Sequence, residues 1–197
     1  MTTPATDATH TGHATRADLT FRRPAEADHA RVLAVLDSWW GGFKGAEGAR
    51  ERALLLPRLY FQHFTSTSTL AEYGDGRLAA FLIGFVSQTD PRTAYVHFVG
   101  VDPALQGQGV GRLLYQGFFS HVRTLGVRRA GCITSPGNAG SRAFHTRLGF
   151  TASEPLPDYD GPGLDRVAFH IDLAAETTGA GRTAEAAETG EAAGAAG

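Results

Sequence analysis

The order of polar and apolar residues divides the first third of the chain into a strand followed by helices. A short run at residues 19–23 predicts a strand. Residues 24–40 carry an apolar side at helical spacing, which predicts a helix with Pro24 in its first turn. Residues 46–64 predict a second helix, which Pro57 disturbs because proline has no backbone N–H to donate.

Consecutive strands are predicted next. Residues 69–88 consist of two apolar runs around Gly74-Asp75-Gly76, a sequence typical of a tight hairpin turn. Residues 93–101 are rich in β-branched and aromatic side chains, which favour a further strand.

The last part of the pattern alternates helices with strands. Residues 110–125 carry apolar side chains at the spacing of one helix face, which predicts a helix that Gly126 ends. That face comprises Leu113, Leu114, Phe118, Val122 and Leu125. Residues 128–135 and 165–173 predict strands, and residues 138–148 predict a helix. The run of consecutive strands favours an α/β fold with one mixed sheet and helices on both faces.

Composition bounds the class of protein. Of the 197 residues, 42% are apolar, which is enough for one core and one domain, expected at residues 18–173. Residues 1–17 and 174–197 lack hydrophobic periodicity, so we expect disordered tails. The formal net charge of −2 argues against a nucleic-acid partner, and no apolar run is long enough to span a membrane. A single cysteine, Cys132, and the lack of a leader pattern favour the cytoplasm.

Glycines at alternate positions, Gly107, Gly109 and Gly111, separate a predicted strand from the long predicted helix. The first amides of a helix have no internal partner and carry the positive end of the dipole, so a phosphate can bind there. A flexible turn is the alternative interpretation. A dinucleotide fingerprint requires glycine where Arg112 stands, and a phosphate-binding P-loop requires a lysine that is absent here.

Two segments carry a resemblance to a known family. Gln106-x-x-Gly109-x-Gly111, preceded by "VGVDP", resembles the acetyl-CoA motif of the GNAT N-acetyltransferases. "NAGSRAFHTRLGF" at residues 138–150 is similar to the family's "N-x-x-A…Y-x-K-x-G-F" helix, and one helix and one strand separate the two, as in the family. The resemblance implies a single GNAT-type domain with a mostly antiparallel sheet and a splayed parallel strand pair. It also implies transfer of an acetyl group from acetyl-CoA to a primary amine by direct attack, with no metal.

The same resemblance assigns residues to acetyl-CoA. Backbone amides of the glycine segment would hold the pyrophosphate, and strand backbone groups would contact the pantetheine arm. The residues implied are Val99, Gly100, Val101, Gln106, Gly107, Gln108, Gly109, Val110, Gly111, Arg112, Asn138, Ser141 and Phe144. Asn138 is in addition a plausible N-cap for the helix that it begins.

Candidate catalytic residues depart from the family pattern. His145 stands where many members carry the tyrosine that protonates the leaving thiolate, and imidazole can serve as that donor near neutral pH. Tyr95 stands where histone-type relatives carry a glutamate, so His97 is the candidate base. Local packing is the alternative for both histidines. The two-residue period of a strand predicts that Tyr95, His97, Val99 and Val101 share one face.

The sequence leaves the acceptor amine and the class of function open. The resemblance places the acceptor opposite CoA, between an apolar wall and a loop that attracts an amine cation. The candidates are Trp39, Trp40 and Phe43 for the wall, and Tyr159 and Asp160 for the loop. A non-catalytic acyl-CoA sensor is the alternative function, whereas the net charge disfavours a tRNA-acetylating toxin. A homodimer is left open.

Overall fold

The computed structural model describes residues 18–39, 50 and 53–173, whose strands form one seven-stranded sheet. The strands are β1 (Thr20–Arg22), β2 (Thr69–Glu72), β3 (Leu78–Val86), β4 (Thr93–Val101), β5 (Arg129–Thr134), β6 (Thr151–Ala152) and β7 (Val167–Asp172). The helices are α1 (Asp28–Trp39), α2 (Leu59–His63), α3 (Val110–Thr124) and α4 (Ala139–Arg147). No helix in the described ranges is long and apolar enough to cross a bilayer. The predicted tails lie outside those ranges.

The sheet has the order β1-β2-β3-β4-β5-β7-β6, and each pairing except β4–β5 is antiparallel. Helix α3 packs on one face, whereas α1 and α2 pack on the other. Strand β3 contributes to both cores, because Leu82 lies with the α3 residues and Phe81 and Ile83 lie with those of α1. The predicted α/β fold, with a mostly antiparallel sheet and helices on both faces, is confirmed.

The parallel pair separates soon after it forms. β4 and β5 pair only at Thr93–Arg129, Ala94–Ala130 and Tyr95–Gly131, although both strands continue beyond these positions. A cavity of about 630 Å³ lies along the separated parts. The pair is therefore splayed, as the resemblance implies.

A β-bulge interrupts β4 at His97. Ile83 of β3 is opposite Phe98, but the next residue, Gly84, is opposite Val96. His97 is thus the extra residue of the bulge, which bends the strand and increases its twist.

The bulge overturns the expectation that Tyr95, His97, Val99 and Val101 share one face. His97 stacks on Tyr60 of α2, with ring centroids 4.3 Å apart, and Tyr95 lies on the same side of the sheet. Val99 and Val101 instead pack against the α3 core. The prediction is wrong because one inserted residue shifts the alternation of side chains by one position.

The helices begin and end close to the predicted residues, with two differences. Helix α1 begins at Asp28 rather than Pro24, because residues 24–27 form an irregular turn. The second predicted helix is split, since Pro57 separates a helical turn at residues 53–55 from α2. Gly126 follows α3 with φ +85°, in agreement with the predicted end.

The buried face of α3 is wider than the predicted face and is rotated about the helix axis relative to it. Tyr115 and Phe119 belong to it, whereas Leu125 is 52% exposed. Leu125 follows the last helical residue, Thr124, so it no longer obeys the helical period. The predicted face included Phe118 but left out the neighbouring rings of Tyr115 and Phe119.

Four charged side chains tie β1, α1 and β2 together. Asp28 is 3% exposed, and both its oxygens bind arginine: Oδ2 lies 2.7 Å from Arg22 Nη1, and Oδ1 lies 2.7 Å from Arg31 Nη1. Glu72 Oε1 accepts from the same two arginines at 2.7 and 2.8 Å. The hydrogen bond from Arg22 is the main reason that the pKa of Asp28 lies well below its usual range. The opposite charges balance, so the network stabilises the edge of the sheet.

Replacing Asp28 by asparagine is expected to lower the free energy of unfolding by about 2–3 kcal/mol at pH 7, because buried charge-assisted hydrogen bonds are lost. The folded pKa of Asp28 is depressed, so its contribution is complete above the unfolded value of about 4 and disappears as the pH falls. Urea denaturation at pH 7 and pH 3 should therefore show a difference between wild type and Asp28→Asn that narrows in acid.

Asp75→Asn is the matched control, since Asp75 forms an exposed pair with Arg77. An equal loss of stability in both variants would contradict a special role for the buried network.

Candidate active site

The cavity lies in the wedge between β4 and β5. Its walls come from these two strands, the beginning of α4, residue 55 and the loop before β7. Tyr115 of α3 and His145 of α4 line it as well. The site is therefore assembled from elements on both sides of the sheet.

The outer half of β4 presents unpaired peptide groups to this wedge. The Asp102 N–H donates to the Ala79 carbonyl at 2.9 Å, so Asp102 and Gly100 direct their peptide groups towards β3. Successive residues of a strand direct these groups to opposite sides. The N–H and C=O groups of Val99 and Val101 consequently point to the side from which β5 has separated, as contacts to an extended ligand require.

Glycine is needed at two loop positions because of the backbone conformation. Gly107 has φ +79° and Gly109 has φ +78°, in the left-handed region that disfavours side chains. A Cβ at Gly107 would meet nothing within 4 Å, so conformation rather than crowding favours glycine there. Gly109 is the N-cap of α3 and provides no side-chain cap.

The N–H groups at the beginning of α3 have no partner inside the helix. The first intrahelical bond runs from the Leu113 N–H to the Gly109 carbonyl at 3.1 Å. Among the described residues, no acceptor is recorded for the N–H groups of Gly107, Gly109, Val110, Gly111 and Arg112. These donors stand at the positive end of the dipole of a 15-residue helix, which suits an anion.

Gly111 has a different role. A Cβ there would lie 3.1 Å from Phe144 Cζ, so the missing side chain lets α3 and α4 approach closely. Phe144 in turn lies against Tyr115, with ring centroids 5.6 Å apart. Phe144 thus packs between the helices.

Asn138 and Ser141 form the N-terminal cap of α4. Asn138 Oδ1 accepts from the Ser141 N–H at 3.0 Å, which confirms the predicted cap. Both side chains line the cavity. No partner within the described ranges is recorded for the side-chain amide NH₂ of Asn138, so this donor can bind a ligand.

His145 is buried, with 4% of its surface exposed, and both ring nitrogens are engaged. Nδ1 lies 2.8 Å from the Ser141 carbonyl, which can only accept, so Nδ1 carries the proton. Nε2 then accepts from the Tyr115 hydroxyl at 2.7 Å. Burial lowers the pKa of His145 and raises that of Tyr115, so both groups are neutral at pH 7.

We expect NMR to find His145 neutral at pH 7 with its proton on Nδ1. Long-range ¹H–¹⁵N spectra would then show an unprotonated Nε2. Tyr115→Phe removes the donor to this buried nitrogen and should destabilise the fold by about 1–3 kcal/mol in urea denaturation. A protonated Nε2 in the wild type would contradict this arrangement.

His97 also bonds to a backbone carbonyl. Its Nε2 lies 2.6 Å from the Leu55 oxygen, so Nε2 carries the proton and Nδ1 is the acceptor in the neutral ring. Burial lowers the pKa of His97, which keeps the ring neutral at pH 7. His97 and Tyr95 both line the cavity, and burial raises the pKa of Tyr95 well above its usual range.

The predicted acceptor residues are only partly brought together. Asp160 lines the cavity and pairs with Arg166 at 2.6 Å, whereas the neighbouring Tyr159 is 54% exposed. Trp39 does not line the wedge but stacks on Phe81 in the α1 core, with centroids 5.9 Å apart. Trp40 and Phe43 lie outside the described residues.

Sequence reasoning missed Tyr115, Arg166 and the backbone of Leu55. Tyr115 stood out only as an aromatic residue one position from the predicted helix face. Arg166 and Leu55 belong to no recognisable motif, and the fold brings them to the cavity from distant parts of the chain. In the part of the chain that the structure describes, no cluster of three or more His, Cys, Asp or Glu side chains could hold a metal ion.

Solved structures share this architecture. A Desulfovibrio desulfuricans protein assigned to the GNAT family of acetyltransferases superimposes with a TM-score of 0.65 at 25% identity, covering 79% of this chain and 99% of that one. A Salmonella typhimurium protein solved with its cofactor acetyl-CoA has the same fold, with a TM-score of 0.59 at 19% identity, covering 82% and 97%. The sheet order and the splayed pair thus define a fold of the GNAT type.

Sequence comparison leads to the same family. The profile of the acetyltransferase (GNAT) family matches residues 32–150, and the chain belongs to this family. L-2,4-diaminobutyric acid acetyltransferase of Nocardia farcinica is 35% identical over 86 residues, which is 44% of each chain. The match thus spans less than half the length of that curated relative.

Proposed function

We propose that this protein is an N-acetyltransferase that transfers the acetyl group of acetyl-CoA to a primary amine by direct attack in a ternary complex. The observation that carries the proposal is the set of amides without a recorded acceptor at Gly107 and Gly109–Arg112, close to the end of β4, where Gly111 lies beside Val101. Family membership supports acetyl-CoA as the donor.

Acetyl-CoA would bind along the wedge. The amides of Gly109 and Gly111 would hold the pyrophosphate, and the outward peptide groups of Val99 and Val101 would pair with the pantetheine arm. The Asn138 side-chain amide would bind the same arm from α4. An N–H of β4 aimed at the thioester oxygen would stabilise the charge that develops in the tetrahedral transition state.

His97 would accept the proton that the attacking amine loses. The Leu55 carbonyl fixes the tautomer in which Nδ1 is basic, and the lowered pKa keeps this nitrogen unprotonated at pH 7. Proton transfer would be direct or through one water.

Tyr115 and His145 would together supply a proton to the leaving CoA thiolate. In the tautomer described above, His145 gives its only N–H to the Ser141 carbonyl. The Tyr115 hydroxyl, which donates to His145 Nε2 at 2.7 Å, would therefore be the proton donor, and His145 would orient it. The family motif implies that His145 itself protonates the thiolate, whereas in this proposal His145 orients the Tyr115 hydroxyl.

A small amine is the acceptor that the site favours. Asp160 offers a carboxylate at the cavity wall that would attract the ammonium form. One matched relative is named for L-2,4-diaminobutyric acid, which makes this compound one member of a rational acceptor panel.

Gly109→Glu is expected to abolish acetyl-CoA binding, because it places a carboxylate in the phosphate position and strains a residue with φ +78°. Isothermal titration calorimetry would measure the loss. Gly117→Glu adds the same charge to an open position of α3, with nothing within 4 Å of the new Cβ, and should bind normally. Unchanged affinity in Gly109→Glu would remove the phosphate assignment.

His97→Gln should lower kcat by about 100-fold, since a positioned base typically contributes 10²–10⁴. The dissociation constant of acetyl-CoA should not change. In the wild type, kcat should be level at neutral pH and fall only below pH 6.5, because the pKa of His97 is lowered from 6.5. His63→Gln, an exposed histidine of α2, is the control, and equal rates in both variants would exclude His97 as the base.

Both ring nitrogens of His145 already have hydrogen-bond partners. This favours one alternative function, an acyl-CoA-binding module without turnover. Thiol release from acetyl-CoA, followed over an amine panel, distinguishes the two functions. Saturable binding with no amine-dependent thiol release would support the binding module and overturn the proposed enzyme.

A further inference from the structure

The acceptor side of the cavity carries a cation that the proposed reaction does not use, the guanidinium of Arg166. Arg166 stands directly before β7 and exchanges two backbone hydrogen bonds with Leu156, at 2.7 and 3.1 Å. Its side chain lines the cavity and is 22% exposed. The loop backbone therefore fixes a half-buried cation at the cavity wall.

Part of this guanidinium has no recorded partner among the described residues. Nε lies 2.6 Å from Asp160 Oδ2, and Nη1 donates to the Asp165 carbonyl at 3.0 Å. Within residues 53–173, no acceptor is recorded for Arg166 Nη2 and no donor for Asp160 Oδ1. Because a guanidinium carries five donors in a rigid fork, its terminal edge keeps unused N–H groups.

Few other charges of the described residues face this cavity. His97 and His145 are neutral at pH 7 because burial lowers their pKa values. Tyr95 and Cys132 keep their protons because burial raises theirs, that of Cys132 to about 12. Among the described lining residues, the Asp160–Arg166 pair thus supplies the full charges.

We propose that Arg166 binds a carboxylate of the acceptor, which is accordingly an amino acid or another amine with a carboxylate near the reacting nitrogen. This inference rests on the proposed acetyl transfer and narrows its acceptor. The guanidinium fork matches a carboxylate in a bidentate pair, while Asp160 Oδ1 accepts from the ammonium group. An amine without the carboxylate leaves the fork unpaired and binds more weakly.

Amine pairs that differ only by the carboxylate test the proposal. L-lysine with cadaverine, and L-phenylalanine with phenethylamine, are compared by kcat/KM from thiol release. We expect the wild type to prefer the acid by about 10- to 100-fold, the range of charge-assisted hydrogen bonds. Arg166→Gln should lose this preference, which is measured as the ratio of kcat/KM for the acid to kcat/KM for its decarboxylated amine within the same variant.

Two further variants control for folding and for general charge effects. Arg166→Lys keeps the charge without the fork, and should retain part of the preference even if Arg166→Gln folds poorly. Arg92→Gln removes an exposed arginine 3.8 Å from Asp90, away from the cavity, and should keep the full preference.

Equal kcat/KM values for acid and amine in the wild type would overturn the proposal, as would a preference that persists in both Arg166 variants. If no amine gives thiol release, the proposed transfer itself fails. Calorimetric titration of the CoA-bound protein with L-lysine and cadaverine then decides the carboxylate site separately. Arg166-dependent preference for L-lysine would support it, and equal or absent binding would overturn it.

Discussion

Strand β4 pairs with β5 along only the first part of its length, and the candidate site depends on the part that is left unpaired. Pairing with β5 ends at Tyr95 and Gly131, so Val99 and Val101 keep peptide groups without a strand partner. Such groups require hydrogen bonds from elsewhere, because leaving them unmade is unfavourable. An extended ligand can supply these bonds and take the place of the missing strand. The glycine loop provides a second group of donors close to Val101, the last residue of β4.

Backbone carbonyls control the protonation of both cavity histidines, with different chemical results. The Leu55 and Ser141 oxygens each take one N–H, which makes the opposite ring nitrogen an acceptor. In His97 no donor among the described residues is recorded for that acceptor, which is consistent with the proposed role as base. In His145 it is already bound to Tyr115, so the ring orients a hydroxyl instead. The two histidines thus suit different proposed steps, because the ring nitrogen opposite the carbonyl bond has a different environment in each.

The sequence was sufficient for the elements that local chemistry determines. The helical period located α3, and Gly126 located its end, because both signals act within a few residues. The cap by Asn138 was predictable for the same reason. Contacts between distant segments were not predictable, since Tyr115 and His145 are 30 residues apart. The bulge at His97 left no signal either, because an extra polar residue in a strand resembles an ordinary solvent-facing one.

The charged network at Asp28 also holds the edge strand β1 on the sheet. β1 has three residues and, within the described part of the chain, pairs only with β2, so few backbone bonds hold it. Once acid protonates Asp28 and Glu72, their arginine partners repel each other and β1 can detach. The backbone of β2 then becomes an open edge, which is a template for pairing with other chains. Acidic solutions would therefore promote self-association of an otherwise folded protein, starting from its amino-terminal side.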